Sequence, residues 1–227
     1  MAMSQSGGGS PLRLAHGWRL ARPASASPEE IRDFIRPAVR AIPRSIVRRL
    51  NPCTIFLAER LEGSRVASRW TETDHALEIH AASAGVSPHD LALELLRCVC
   101  QALWERLNFQ EEADWLRRLQ AEWDAGVAGE IDEEAFQKKR RLLRKGQGPP
   151  GPRRVRIYLR EAFAGSAAEY VHALWHDVTI RSGPEHLPAR WLRRRLQLLS
   201  AWFPPDRGYR LFPGPARPCR PAADELA

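Results

Sequence analysis

The chain contains no H-E-x-x-H, no C-x-x-C, no G-x-x-x-x-G-K-[ST] and no G-x-S-x-G. These absences remove the local signatures of zinc hydrolysis, dithiol or zinc-ribbon chemistry, P-loop phosphate binding and a nucleophile elbow. Apolar runs stay short of the ~18–20 residues that a membrane span requires. The start, MAMSQSGGGSPLRLAHGWRLARPASAS, has no apolar core for a secretory signal. We therefore expect no membrane partner and a cytoplasmic setting. There Cys53, Cys98, Cys100 and Cys219 stay as free thiols. Cys98 and Cys100, two apart on an expected helix, point to different sides and do not form a natural pair. Lysine is scarce: Lys138, Lys139 and Lys145 are the three lysines among 35 basic residues.

The 227 residues suffice for one good-sized domain or two small ones, and 44% hydrophobic content supports a packed core. The net charge of +8 is compatible with a polyanionic partner, and equally with the arginine-rich bias of a GC-rich genome. Residues 1–26 read as a disordered tail, 27–206 as the domain and 207–227 as a Pro-rich tail. Ser27-Pro28-Glu29-Glu30 is a capping box, and the helix it starts is interrupted near Pro37 and Pro43. Three strand candidates follow: Cys53–Ala58, Val66–Thr73 and the alternating Ala76–Ala82, with a turn at Leu61–Ser64.

Ser87-Pro88 starts a long helix to about Leu107. Ala92, Leu95, Leu96, Val99, Leu103 and Leu107 form its apolar stripe. Asp90, Glu94, Arg97, Gln101 and Glu105 form a polar one, for which a solvated face with Glu94–Arg97 support is the simplest reading. The rest reads as helical: Asn108–Asp124 with Ala113, Leu116, Leu119 and Trp123 inward, Glu133–Lys145 capped by Asp132, about Arg153–Thr179 after the loop 146–152, and Leu187–Phe203. Trp104, Trp115, Trp123, Trp175, Trp191 and Trp202 fall in these helices and suit packing between them.

This order, with Gln101-Ala102-Leu103-Trp104 on the long helix and Glu161-Ala162-Phe163-Ala164 on a later one, resembles zincin-like metallopeptidases, particularly the anthrax lethal factor-like group. The resemblance covers roughly residues 27–175. It implies an α+β fold with a small N-terminal sheet and long central helix (27–107) and an all-helical C-terminal half (108–206). In the family a central helix carries two zinc-binding imidazoles around a catalytic carboxylate. Here Arg97, Cys98 and Gln101 stand at those positions, a cation, a thiol and an amide, and none supports the chemistry. Glu161 matches the family's later carboxylate ligand. The resemblance thus implies a catalytically inactive, cofactor-free relative that binds a peptide or protein partner in a cleft formed by Arg97, Cys98, Gln101 and Glu161. Ala76–Ala82 would edge this cleft, where an extended peptide can pair with main chain.

Two other readings stay open. The basic groups Lys138, Lys139, Arg140, Arg141 with Arg144 and Lys145, then Arg153, Arg154 and Arg156, then Arg190 and Arg193–Arg195, suit a nucleic-acid-associated surface, although no base-reading motif accompanies them. His172 and His176, four apart, with Glu169 one turn earlier, suit a metal-dependent hydrolase, although two imidazoles are half of a tetrahedral set. Oligomeric state leaves no trace in the sequence.

Overall fold

In a computed structural model, the described residues are 11–21, 26–61, 67–143, 151–177 and 183–212. The chain is a mixed α/β protein. Its five-stranded sheet comprises β1 (Leu12–Arg13), β2 (Arg19–Ala21), β3 (Cys53–Ala58), β4 (Ser68–Glu72) and β5 (Leu77–Ala82), in the spatial order β1-β2-β3-β5-β4. β2, β3 and β5 run parallel, while the two outer strands are antiparallel to their neighbours. The helices are α1 (Pro28–Glu30), α2 (Arg36–Ala41), α3 (Arg44–Val47), α4 (Pro88–Trp104), α5 (Phe109–Asp124), α6 (Glu133–Leu142), α7 (Pro152–His172) and α8 (Ala189–Trp202). None is long and apolar enough to cross a membrane.

The first correction concerns the N-terminus. Residues 11–21 belong to the fold rather than to a disordered tail, because Trp18 and Leu20 are buried in the core and β2 pairs with β3. At the other end, Leu211 is buried beyond the expected boundary at 206. The capping box is present, with Ser27 Oγ accepting from the Glu30 amide and Glu30 Oε2 accepting from the Ser27 amide. Pro37 does not interrupt the helix. A π turn over Ile31–Ile35 precedes it, and the wider spacing accommodates a residue that lacks an N–H.

A second correction concerns the sheet edge. β5 lies between β3 and β4, so β4 is the outer strand. The alternation of β5 reports one buried face (Leu77, Ile79, Ala81) and carries no information on rank within the sheet. The turn expected at Leu61–Ser64 lies largely outside the described residues, as does most of the loop 146–152.

On α5 the buried face is Glu111, Trp115, Leu119 and Glu122, and Leu116 is exposed. Two carboxylates turn inward because each meets an arginine. Arg49 forks onto Glu111 through two bonds of 2.7 Å. Arg195 of α8 donates to Glu122 at 2.9 and 2.5 Å. Arg195 also reaches Glu130 at 2.8 and 3.0 Å, and Lys139 joins Glu130 at 3.2 Å. All four charges are buried, and two carboxylates balance two cations. Burial alone would raise the Glu130 carboxyl, but Arg195, then Lys139 and the Tyr158 hydroxyl, hold it down at about 2.

α4 and α7 pack antiparallel. Trp104 therefore meets Phe163, and Arg97 and Gln101 meet Glu161, along the middle of α7, while His89 near the start of α4 meets His172 at the end of α7. α7 stops at His172 rather than near Thr179. The next amides bond back three residues as well as four, so the backbone tightens into a turn, which leaves His176 outside the helix.

Candidate functional site

The middle of the polar stripe of α4, Glu94, Arg97 and Gln101, faces neighbouring elements, while Asp90 and Glu105 at its ends are exposed. Arg97, with 14% of its side chain exposed, donates to Glu161 Oε2 at 3.0 Å, bonds Glu134 of α6, and lies 3.9 Å from Asp132 Oδ2. Gln101 Nε2 donates to the same Glu161 oxygen at 3.2 Å, and Arg160 holds the other at 3.0 Å. Glu94 is not the ion-pair partner expected for Arg97; it accepts from Ser68 Oγ at 2.8 Å. Burial would lower the Arg97 pKa, but Asp132, Glu134, Glu161 and Glu94 together raise it, so the guanidinium stays charged.

β4 is joined to this helix by polar pairs. Trp70 Nε1 donates to Gln101 Oε1 at 3.1 Å, and Arg106 meets Glu72 at 2.9 Å. The pairings of Ala67 with Ala82 and of Thr73 with Ala76 fix the antiparallel alternation. By that alternation the main-chain N–H and C=O groups of Ser68, Trp70 and Glu72 face away from β5.

Two close approaches of backbone set the acids of the 127–132 loop. A Cβ on Gly165 of α7 would lie 2.4 Å from Asp132 Oδ2, so the bare helix face admits the carboxylate. A Cβ on Gly129 would lie 2.1 Å from the His186 carbonyl, where Glu130 bridges in parallel to His186. Asp132 also caps α6, accepting from the Ala135 amide at 2.8 Å.

A cavity of about 290 Å³ opens beside Arg97. Arg97 and Asp132 line one part, and His89, Glu169, His172 and His186 line another. Gln101 and Glu161 form the wall behind Arg97 rather than the lining. Cys98 is buried, and burial pushes its thiol up to about 11, so it is neither a base nor a ready nucleophile. The zinc site typical of the family that the chain resembles does not fit these residues, because the Glu161 carboxylate already holds a fixed guanidinium and Gln101 is a poor ligand.

His172 and His176 do come together, their rings stacked with centroids 5.0 Å apart. Sequence reasoning missed His89, which joins them with centroids at 4.7 and 5.1 Å. No local signal pairs His89 with a residue on α7; only the antiparallel helix packing does. Burial, and then His89 and His176, lower the His172 pKa to about 4, which keeps its imidazole neutral near pH 7.

The nucleic-acid surface is corrected in part. Lys139 and Arg195 are fully buried in the ion cluster and cannot contact phosphate. Arg140, Arg141, Arg153, Arg154, Arg156, Arg190, Arg193 and Arg194 are exposed and Lys138 is half-buried, while Arg144 and Lys145 lie outside the described residues. No family model, no curated protein and no solved structure matches the chain.

Proposed function

We propose that the chain is a zincin-like domain that lacks the peptidase zinc and acts by binding an extended peptide or protein segment. The observation that carries this reading is the Arg97–Glu161–Gln101 cluster between facing helices, tied through Trp70 to an antiparallel outer strand. A guanidinium stands where such a fold would hold its cation, so the helix pair stays joined without metal. Pairing along Ser68, Trp70 and Glu72 supplies main-chain affinity, and the adjoining cavity supplies selectivity. The carboxylates around Arg97 favour a segment with a basic side chain near the cleft.

A random-peptide display screen against the full chain tests the reading. Linear peptides should be enriched, and Ser68→Pro should abolish their capture with little change in thermal midpoint. Proline is tolerated on an outer strand where its missing N–H faces outward. Enrichment of no peptide, or capture indifferent to Ser68→Pro, contradicts the proposal.

A further inference from the structure

We infer that His89, His172 and His176 form a three-imidazole site for a borderline divalent cation of the Zn²⁺ type, at the opposite end of the α4/α7 interface from Trp104. It is separate from the position that Arg97 occupies. One nitrogen from each ring can be chosen so that all three lie within 4.8 Å of one another. Zinc at 2.0–2.1 Å from each nitrogen would bring them to about 3.3–3.4 Å apart. Small side-chain rotations close that difference, because His176 is exposed and His89 is about a third exposed.

His172 supplies an independent reason. Its residue is 1% exposed, yet neither Nδ1 nor Nε2 has a hydrogen-bond partner. A buried imidazole with both nitrogens unsatisfied is costly, and coordination would satisfy one. The His176 ring has an outer partner, its Nδ1 lying 3.3 Å from the Asp177 carbonyl, and His89 Nδ1 has the Asp90 carboxylate nearby at 3.6 Å, beyond hydrogen-bond length. A carboxylate or carbonyl on one nitrogen is the usual outer partner of a ligating histidine, and it leaves Nε2 for the ion.

The surroundings favour a cation. His172 closes the C-terminal turn of α7, where the helix dipole is negative. Among the charged residues lining the cavity, Asp90, Glu94, Glu130, Asp132 and Glu169 outnumber Arg97 five to one. Three imidazoles select Zn²⁺ or its neighbours over Mg²⁺ or Ca²⁺, and they leave a fourth position for water or a ligand carboxylate.

The test uses the tag-free full chain, stripped with chelator, and Zn²⁺ or Co²⁺ alone as probe. One equivalent should bind, Co²⁺ should give the visible absorption of a tetrahedral nitrogen site, and Zn²⁺ should raise the thermal midpoint. His176→Ala and His89→Ala change exposed or partly exposed side chains and should fold normally. Each should weaken binding by at least about tenfold to a hundredfold, the loss that outer partners alone can cause. Arg97→Ala should leave the stoichiometry at one. Absence of saturable binding overturns the site, as does binding that survives both histidine substitutions. Peptide capture is read separately, so failure here leaves the proposed function standing or falling on its own experiment.

Discussion

Two arginines, 98 positions apart, each gather carboxylates in this molecule, and their settings differ in kind. Arg195 is fully buried, faces Glu122 and Glu130, and shares Glu130 with Lys139. Its charges balance; Glu130 also lines the cavity, and Lys139 lines a separate surface hollow beside Phe136 and Arg140. Arg97 is partly open to that cavity and meets Asp132, Glu134 and Glu161. Acid outnumbers base there, and rotating solvent-lapped groups can admit a ligand. On the proposed reading the first cluster serves stability and the second recognition, although as ion pairs alone the two rank alike.

The comparison can be broken most forcefully at Arg195. Arg195→Ala strands two buried carboxylates and should cost about 4 kcal/mol or more in urea unfolding, or prevent folding. Replacing Glu122, Glu130, Lys139 and Arg195 together by apolar residues of similar size should recover most of that loss, because the desolvation of all four charges disappears with them. A fully charge-free cluster that remains as damaged as Arg195→Ala contradicts the assignment.

Acid should attack the same cluster next. Glu130 is held at about 2 in the folded chain against 4.5 when free. Its contribution is therefore complete above about pH 4.5 and is lost as pH falls from there towards 2. Thermal midpoints should drop across that window, and a Glu130→Gln variant should show a flatter decline.

Arg97→Ala should cost less than Arg195→Ala, about 2–3 kcal/mol, since water in the cavity partly rescues the stranded acids. A change under about 0.5 kcal/mol would assign Arg97 to an ordinary exposed face. Gly165→Ala is subtler. Alanine favours the helix by about 1 kcal/mol, but the new methyl overlaps Asp132 Oδ2 and Ile131 Cγ2. Peptide capture should fall, and stability should fall by about 1–2 kcal/mol as the overlap outweighs the helix gain. The smallest expected effect is on Cys98, whose raised thiol should resist iodoacetamide at pH 8 until denaturant is added.

Much of this was legible in the sequence. A β-rich apolar run marks β3, the period of two marks β5, and the caps at Ser27, Ser87 and Asp132 mark three helix starts. The family resemblance groups Arg97, Gln101 and Glu161, and their side chains do meet. What failed shares one cause: it depends on partners far away in the chain. β5 rather than β4 was expected at the edge, because alternation shows a buried face and not a neighbour. Trp18 and Leu20 sit in a short stretch with little periodicity, so only pairing with β3 reveals that they belong to the core. Lys139 and Arg195 looked like solvated basic residues until Glu122 and Glu130 met them. His89 is 83 positions from His172, and only the antiparallel packing of α4 on α7 joins them.

The central claim, that Arg97, Cys98 and Gln101 occupy the ligand and base positions of a former peptidase helix, has one direct test. Gln101 Nε2 already lies 3.2 Å from Glu161 Oε2, so an imidazole at 101 would stand within reach of that carboxylate. Zinc binding should be measured for Arg97→His, Cys98→Glu and Gln101→His combined, in a chain that also carries His89→Ala and His176→Ala. The account predicts one equivalent of zinc, lost on adding Glu161→Gln and absent from each of the three single substitutions made in that background. A folded combined variant that binds no zinc would contradict it and return the helix to an ordinary packed element.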